Sequence, residues 1–159
     1  MEVKINKTSL TEADKLLSIQ REVFASDLKK YKDYDTSPAT ETIDFFKYRI
    51  NHSYHYTMFV DGKIAGGVCI VKVSDTHYRL FRIFLSPSYQ NIGLGSKILA
   101  QIEKKFPQVK TWSLDTPKDN RRNRHFYEKL GYRKTGEFAV NERLILIEYE
   151  KKIKKGKST

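Results

Sequence analysis

The sequence predicts a mixed α/β fold in which helices flank a central sheet, and three observations predict it. Two runs rich in β-forming residues, 54–60 and 63–73, meet at Asp61-Gly62, the strongest short-range signal for a two-residue hairpin. Past Ser86-Pro87 the apolar spacing changes from a strand's to a helix's, as Leu94, Ile98, Leu99, Ile102 and Phe106 recur at three- and four-residue steps. The chain has 159 residues, 39% hydrophobic and 13% aromatic, enough to bury one core. With no internal repeat and no flexible linker, residues 1–150 read as a single domain and 151–159 as a basic, solvated tail.

The elements follow in order. Residues 3–5 make a short strand. Ser9 and Glu12 form a capping box, and Ala13, Leu16, Leu17, Gln20 and Phe24 follow at helical spacing, so a first helix covers 10–25. Residues 29–37 are polar and carry tyrosines. Ser37-Pro38 is an N-cap followed by proline in the first turn, which starts a second helix with Ala39, Ile43, Phe46 and Ile50 on its buried face. After the hairpin, Gly66-Gly67 marks a bulge or a close backbone approach, and residues 78–85 form a third strand. The helix that begins near Leu94 ends before Pro107. Residues 111–115 are a short strand, 120–130 a helix closed by Gly131, and 132–138 and 144–151 two final strands.

Composition narrows the function classes. No stretch approaches about 20 consecutive apolar residues, and the N-terminus lacks the basic-then-apolar signal-peptide pattern, so a soluble cytoplasmic protein without a membrane partner is expected. Cys69, the single cysteine, lies in an apolar run and reads as a buried strand residue, and no Cys/His spacing suggests a metal site. The net charge is +11, of which Lys151, Lys152, Lys154, Lys155 and Lys157 supply five. What remains still attracts a polyanion, and a phosphate-rich cofactor satisfies that as well as a nucleic acid does. The lysines cluster in the tail and the aromatics fall at core-compatible positions, which ranks a nucleic-acid-binding module last.

The chemistry concentrates between Leu80 and Tyr132. The strand ending at Leu85 leads through Ser86-Pro87 into Gln90-Asn91-Ile92-Gly93-Leu94-Gly95-Ser96, at the start of a helix. Amides at a helix N-terminus have no intrahelical partner and the dipole there is positive, so a diphosphate can accept several hydrogen bonds. Glycines in such a turn serve turn geometry as readily as phosphate binding. A Walker loop is excluded because Gly95-Ser96-Lys97 stands where it needs Gly-Lys-Ser/Thr, and a dinucleotide fingerprint because Ile98 stands where it needs glycine.

Gln90-x-x-Gly93-x-Gly95 after a Leu-x-Pro strand end resembles the acetyl-CoA pyrophosphate loop of the GNAT superfamily of N-acetyltransferases. Asn120-Arg-Arg-Asn123-Arg-His-Phe126-Tyr127-Glu-Lys-Leu130-Gly131-Tyr132 resembles that family's second signature, in the family's order and at its usual separation. Gln90 replaces the arginine more often found there.

The resemblance implies a mostly antiparallel sheet, splayed between the parallel strands 80–85 and 111–115 to hold acetyl-CoA. It implies that the pyrophosphate is held by the amides of Asn91, Ile92, Gly93, Leu94, Gly95 and Ser96, with Gln90. The backbone of Phe84 and Leu85, with Asn120 and Asn123, would hold the pantetheine arm, although Asn120 serves equally as a helix cap. Tyr127 would be the acid that assists thiolate departure from an acetyl group passed directly to an amine. On its helix, Phe126 and Leu130 belong to a core face and Tyr127 is turned toward the cleft.

Many family members carry an acid on the strand that here reads 80–85, and this one has none. The base is then water or one of His77, Asp35 and Glu41, the last two lying on a segment that lines the family's acceptor site. A polar loop and an exposed turn explain Asp35 and Glu41 equally well. The resemblance is also compatible with a homodimer, and with a sensor that binds acyl-CoA without turnover.

Overall fold

Both turn residues of the hairpin take positive φ, 49° at Asp61 and 81° at Gly62, the conformation that matches the twist of the strands it joins. Those strands are β2 (Tyr54–Val60) and β3 (Lys63–Lys72). The protein is seen here in a computed structural model that describes residues 1–154. Around the hairpin lie β1 (Val3–Lys7), β4 (His77–Leu85), β5 (Thr111–Pro117), β6 (Arg133–Ala139) and β7 (Ile145–Lys152). They form one sheet in the order β1-β2-β3-β4-β5-β7-β6, antiparallel throughout except at β4 and β5.

The helices are α1 (Ala13–Tyr31), α2 (Ile43–His52), α3 (Leu94–Lys105) and α4 (Arg121–Lys129). Leu16, Leu17, Phe46 and Ile50 from α1 and α2 close over Phe84 in one core cluster. Leu94, Ile98, Leu99 and Ile102 from α3 pack with Val68, Ile70, Leu80, Trp112 and Leu114 in the other. The sheet is the layer between them.

Several boundaries differ from the expected ones, β1 and β5 each running two residues further, and three of the differences have a clear physical cause. The capping box at Ser9 and Glu12 opens a 3₁₀ turn, and the helix it introduces continues six residues past Ala25 to Tyr31, stopped by Lys32 at φ 52°. Leu28 and Tyr31 extend the stripe of Phe24, but Asp27, Lys29 and Lys30 between them hide it. Ser37-Pro38 opens only a 3₁₀ turn, Pro38–Thr40, and α2 begins under a second cap, Thr42, whose hydroxyl accepts the Phe45 amide at 3.2 Å. At the other end, β7 runs through Lys152, Lys151 pairs with Glu103 at 3.0 Å, and the Ile153 amide donates to Lys110. The charge run therefore begins inside the sheet; Lys155 and Lys157 lie outside the described residues.

Gly66-Gly67 is a close approach. A Cβ on Gly66 would collide with the Phe84 carbonyl oxygen, and one on Gly67 would come within 2.9 Å of the Phe84 ring. The bulge lies beside them at Ala65, skipped between the pairs Met58↔Gly66 and Phe59↔Ile64. Cys69 is buried, and that burial pushes its thiol pKa up, away from nucleophile chemistry. Among the described residues no helix is long and apolar enough to cross a membrane, and no three His, Cys, Asp or Glu residues gather as metal ligands.

His55, 4% exposed, bonds Thr8 through Nδ1 at 2.7 Å. Burial, with the charge of Arg82, lowers its pKa from 6.5 to about 4. Above pH 6.5 both folded and unfolded states hold it neutral; below, the unfolded chain takes up the proton first and stability falls. The expected loss is about 2 kcal/mol by pH 5. A His55→Asn variant should show a flatter stability profile from pH 7 to 5 in denaturant melts, and equal slopes would remove His55 as the cause.

Candidate active site

Strands β4 and β5 pair at only three positions, His77↔Thr111, Tyr78↔Trp112 and Arg79↔Ser113. β4 then stays with β3, taking up an extra residue at Phe81 between the pairs Ile70↔Leu80 and Cys69↔Arg82, while β5 stays with β7 as far as Pro117. The two parallel strands diverge. Between them opens a cleft of about 470 Å³ with residues 79–83 on one wall and 114–117 on the other. A strand without a neighbour on one side leaves backbone donors and acceptors for a ligand.

At the end of β4, Gln90 Nε2 donates to the Leu85 carbonyl at 2.8 Å and ties the glycine loop to the strand. Asn91 (φ 64°) and Gly93 (φ 81°) then turn the chain into α3. Gly93 is the N-cap, no side chain caps the helix, and no acidic residue stands in its first turn. The first amides of α3 are thus left for an external acceptor. Ser96 turns its hydroxyl to the Gly93 carbonyl at 3.3 Å. A Cβ on Gly93 would meet nothing within 4 Å, whereas one on Gly95 would lie 3.0 Å from the Phe126 ring. Gly95 is therefore the place where α3 lets an aromatic of α4 come close.

The side chain of Asn120 caps α4 by accepting the Asn123 amide at 3.0 Å, and Asn123 Nδ2 reaches Thr116 Oγ1 at 3.5 Å. Tyr127 is the buried residue of α4, 8% exposed; Phe126 and Leu130, expected in the core, are only partly buried. Phe126 leans on Gly95 instead. Tyr127 sits edge-on to Phe126 and Tyr132 and also lines the cleft, so the α4 face that packs and the face that meets the cleft are one. Burial, and then the charge of Asp115, pushes its phenol up to about 12.

Of the base candidates the structure brings none to the cleft wall. His77 lies where β4 and β5 still pair, and its Nε2 bonds Ser113 Oγ at 2.8 Å. Asp35 is exposed in the loop after α1, where Asp33 and Thr36 line the cleft instead. Glu41 is ion-paired with Arg82 at 2.8 Å, both side chains nearly buried, so it is neither a loose base nor on an exposed turn.

The carboxylates that reach the cleft were not among the candidates. Asp115, on β5, pairs with Arg79 at 2.7 Å, which also holds Glu148 at 2.6 Å; burial raises the Asp115 carboxyl and Arg79 opposes it. Asp27 arrives on the extension of α1, with Phe24, Leu28 and Tyr31 at helical spacing on the same face. Tyr31 in turn donates to Asp119, and Lys30 pairs with Asp119 at 2.8 Å.

Residues 15–132 match the Acetyltransferase (GNAT) family. The chain belongs to that family. As a GNAT protein it shares its fold with the ribosomal-protein-S18-alanine N-acetyltransferase of Escherichia coli, at 20% identity over 99% of each chain and a TM-score of 0.73. It shares it also with the PaiA N-acetyltransferase of Thermoplasma acidophilum, solved in complex with coenzyme A, at 18% identity, 96% of this chain, 100% of that chain and a TM-score of 0.67. The uncharacterized protein YrkN of Bacillus subtilis (strain 168) is 33% identical over 79 residues, 48% of this GNAT chain. The match spans 43% of YrkN, less than half its length.

Proposed function

We propose that this chain is an acetyl-CoA-dependent N-acetyltransferase that passes the acetyl group directly to an amine, with no covalent enzyme intermediate. The observation that carries the reading is the divergence of β4 from β5 with Tyr127 in the cleft they leave. The residues present suit the cofactor. Open space at Gly93, uncapped amides and the absence of first-turn acids in α3 favour a diphosphate, which the amides of Asn91, Ile92, Gly93, Leu94, Gly95 and Ser96 would hold. Gln90 acts by fixing that loop to β4. The β4 edge past Arg79, which has no β5 partner, would hold the pantetheine amides near Phe84 and Leu85, where the Phe84 carbonyl faces β3 and the Leu85 carbonyl already accepts from Gln90, with Asn120 and Asn123 beyond.

Bound acetyl-CoA supplies a thioester carbonyl for amine attack and a sulfur leaving group. Tyr127 keeps its proton at Oη, because its value of about 12 lies above the physiological range. An ordinary thiol titrates near ~8.5, so complete proton transfer from Tyr127 to sulfur is uphill by about 5 kcal/mol. Its role is then to donate a hydrogen bond to the departing sulfur.

CoA is expected to raise the melting temperature, since a ligand of the folded state adds about 2.7 kcal/mol at 100 times its Kd. For a chain of this size that is a shift of roughly 5–11 °C. A calorimetric titration with no heat of binding at millimolar CoA would sink the reading. Turnover over an amine panel then separates an enzyme from a sensor, which would bind CoA and acetylate nothing.

A further inference from the structure

The chain is strongly basic, yet its cleft is acidic. Asp27, Asp33 and Asp115 stand on the cleft lining and, among the described residues, no lysine does. Its two guanidiniums are already matched: Arg79 by Asp115 and Glu148, Arg82 by Glu41. Asp33 is used within its own loop, accepting the Thr36 amide at 3.1 Å and the Thr36 hydroxyl.

Asp27 is different. Among the described residues no ion pair or side-chain hydrogen bond engages its carboxylate. It is half-buried between Phe24 and Leu28, and burial raises its pKa; Lys30 opposes this and Asp119 adds to it. A carboxylate that is partly desolvated and unpaired gains most from a cationic partner. The same cleft is lined by apolar side chains, Phe24 and Leu28 from α1 and Phe138, Leu144 and Leu146 from β6, β7 and the turn between them. An aliphatic stem suits that surface, and an anionic acceptor would meet unpaired negative charge.

Resting on the acetyltransferase reading, we propose that the acceptor is an aliphatic amine with a second cationic group, which Asp27 holds while the reacting amine faces Tyr127. In the transfer the N–C bond forms and the C–S bond of acetyl-CoA breaks, the amine's proton leaving to solvent. The second cation takes no part in bond making. It orients the acceptor and lowers its KM.

The test compares α,ω-diaminoalkanes of three to six carbons with n-alkylamines and ω-amino acids of matched length. The best diamine should exceed its monoamine in kcat/KM by about tenfold or more, the worth of one charge-assisted contact, and the ω-amino acid should be poorest. In Asp27→Asn the ratio of diamine to monoamine should fall close to one. Calorimetry of that diamine with the CoA-bound protein should show the same loss of affinity in Asp27→Asn, and a weaker Kd at high salt in the wild type. Equal use of monoamines, a preference for the ω-amino acid, or a diamine preference that survives Asp27→Asn overturns the assignment and leaves the acetyltransferase reading standing. Acetylation of no amine at all overturns both.

Discussion

Tyr127→Phe is expected to lower kcat by about 10²–10³-fold while CoA affinity changes less than about threefold. The ring stays edge-on to Phe126 and Tyr132, so the packing of α4 against the sheet is kept. What disappears is the Oη–H, which burial keeps protonated across the physiological range. The loss expected is that of a preorganised hydrogen-bond donor to developing charge, the scale on which such donors act. Because the phenol titrates at about 12, the wild type should show no alkaline decline in kcat from this group below pH 10. Weaker CoA binding with normal turnover would make the hydroxyl a binding group, and unchanged behaviour in both would make it a packing residue.

The reasons some of this site was legible in the sequence, and some was not, are local. The glycine loop and the Asn120-to-Tyr132 segment can be read because each is contiguous and because a helix N-terminus is recognisable from its neighbours. The hairpin at Asp61-Gly62 needed only its two turn residues, and both take the predicted conformation. The divergence of β4 and β5 was reached through resemblance, since no residue of either strand announces where a pairing stops.

The acidic wall stayed hidden for a different reason. Asp27 sits among Ala25, Ser26, Lys29 and Lys30, and a polar run after a satisfied helical stripe reads as a helix end. Six further residues of α1 are what carry Asp27 and Tyr31 to the cleft. Glu41 and Asp35 were candidates through the resemblance, as residues of the segment that lines the family's acceptor site; tertiary contacts decided otherwise, with Arg82 drawing Glu41 into a nearly buried pair. His77 could not be judged without its register opposite Thr111, which puts it at the closed end of the splay. Partners distant in sequence, such as Arg79 with Glu148, leave no local trace.

Gly95→Val is expected to lower the melting temperature and to weaken CoA binding by more than tenfold. Sequence reasoning puts the added side chain in a phosphate site; the structure points its Cβ at the Phe126 ring, 3.0 Å from Cζ and 3.3 Å from Cε1. One of the two must move. Overpacking of this kind costs about 1–3 kcal/mol, roughly 2–12 °C for a chain of this size. If the first turn of α3 moves, its free amides lose their alignment; if Phe126 moves, it displaces Tyr127, whose ring centroid is 5.1 Å away. The glycine loop and Tyr127 are thereby coupled through one aromatic contact. A second substitution, Phe126→Ala, removes the obstructing ring and should recover most of the melting temperature lost by Gly95→Val, a positive coupling between residues in contact. Additive losses in the double variant would show that the ring is not the obstruction, and an unchanged melting temperature in Gly95→Val alone would show that the contact does not constrain the fold.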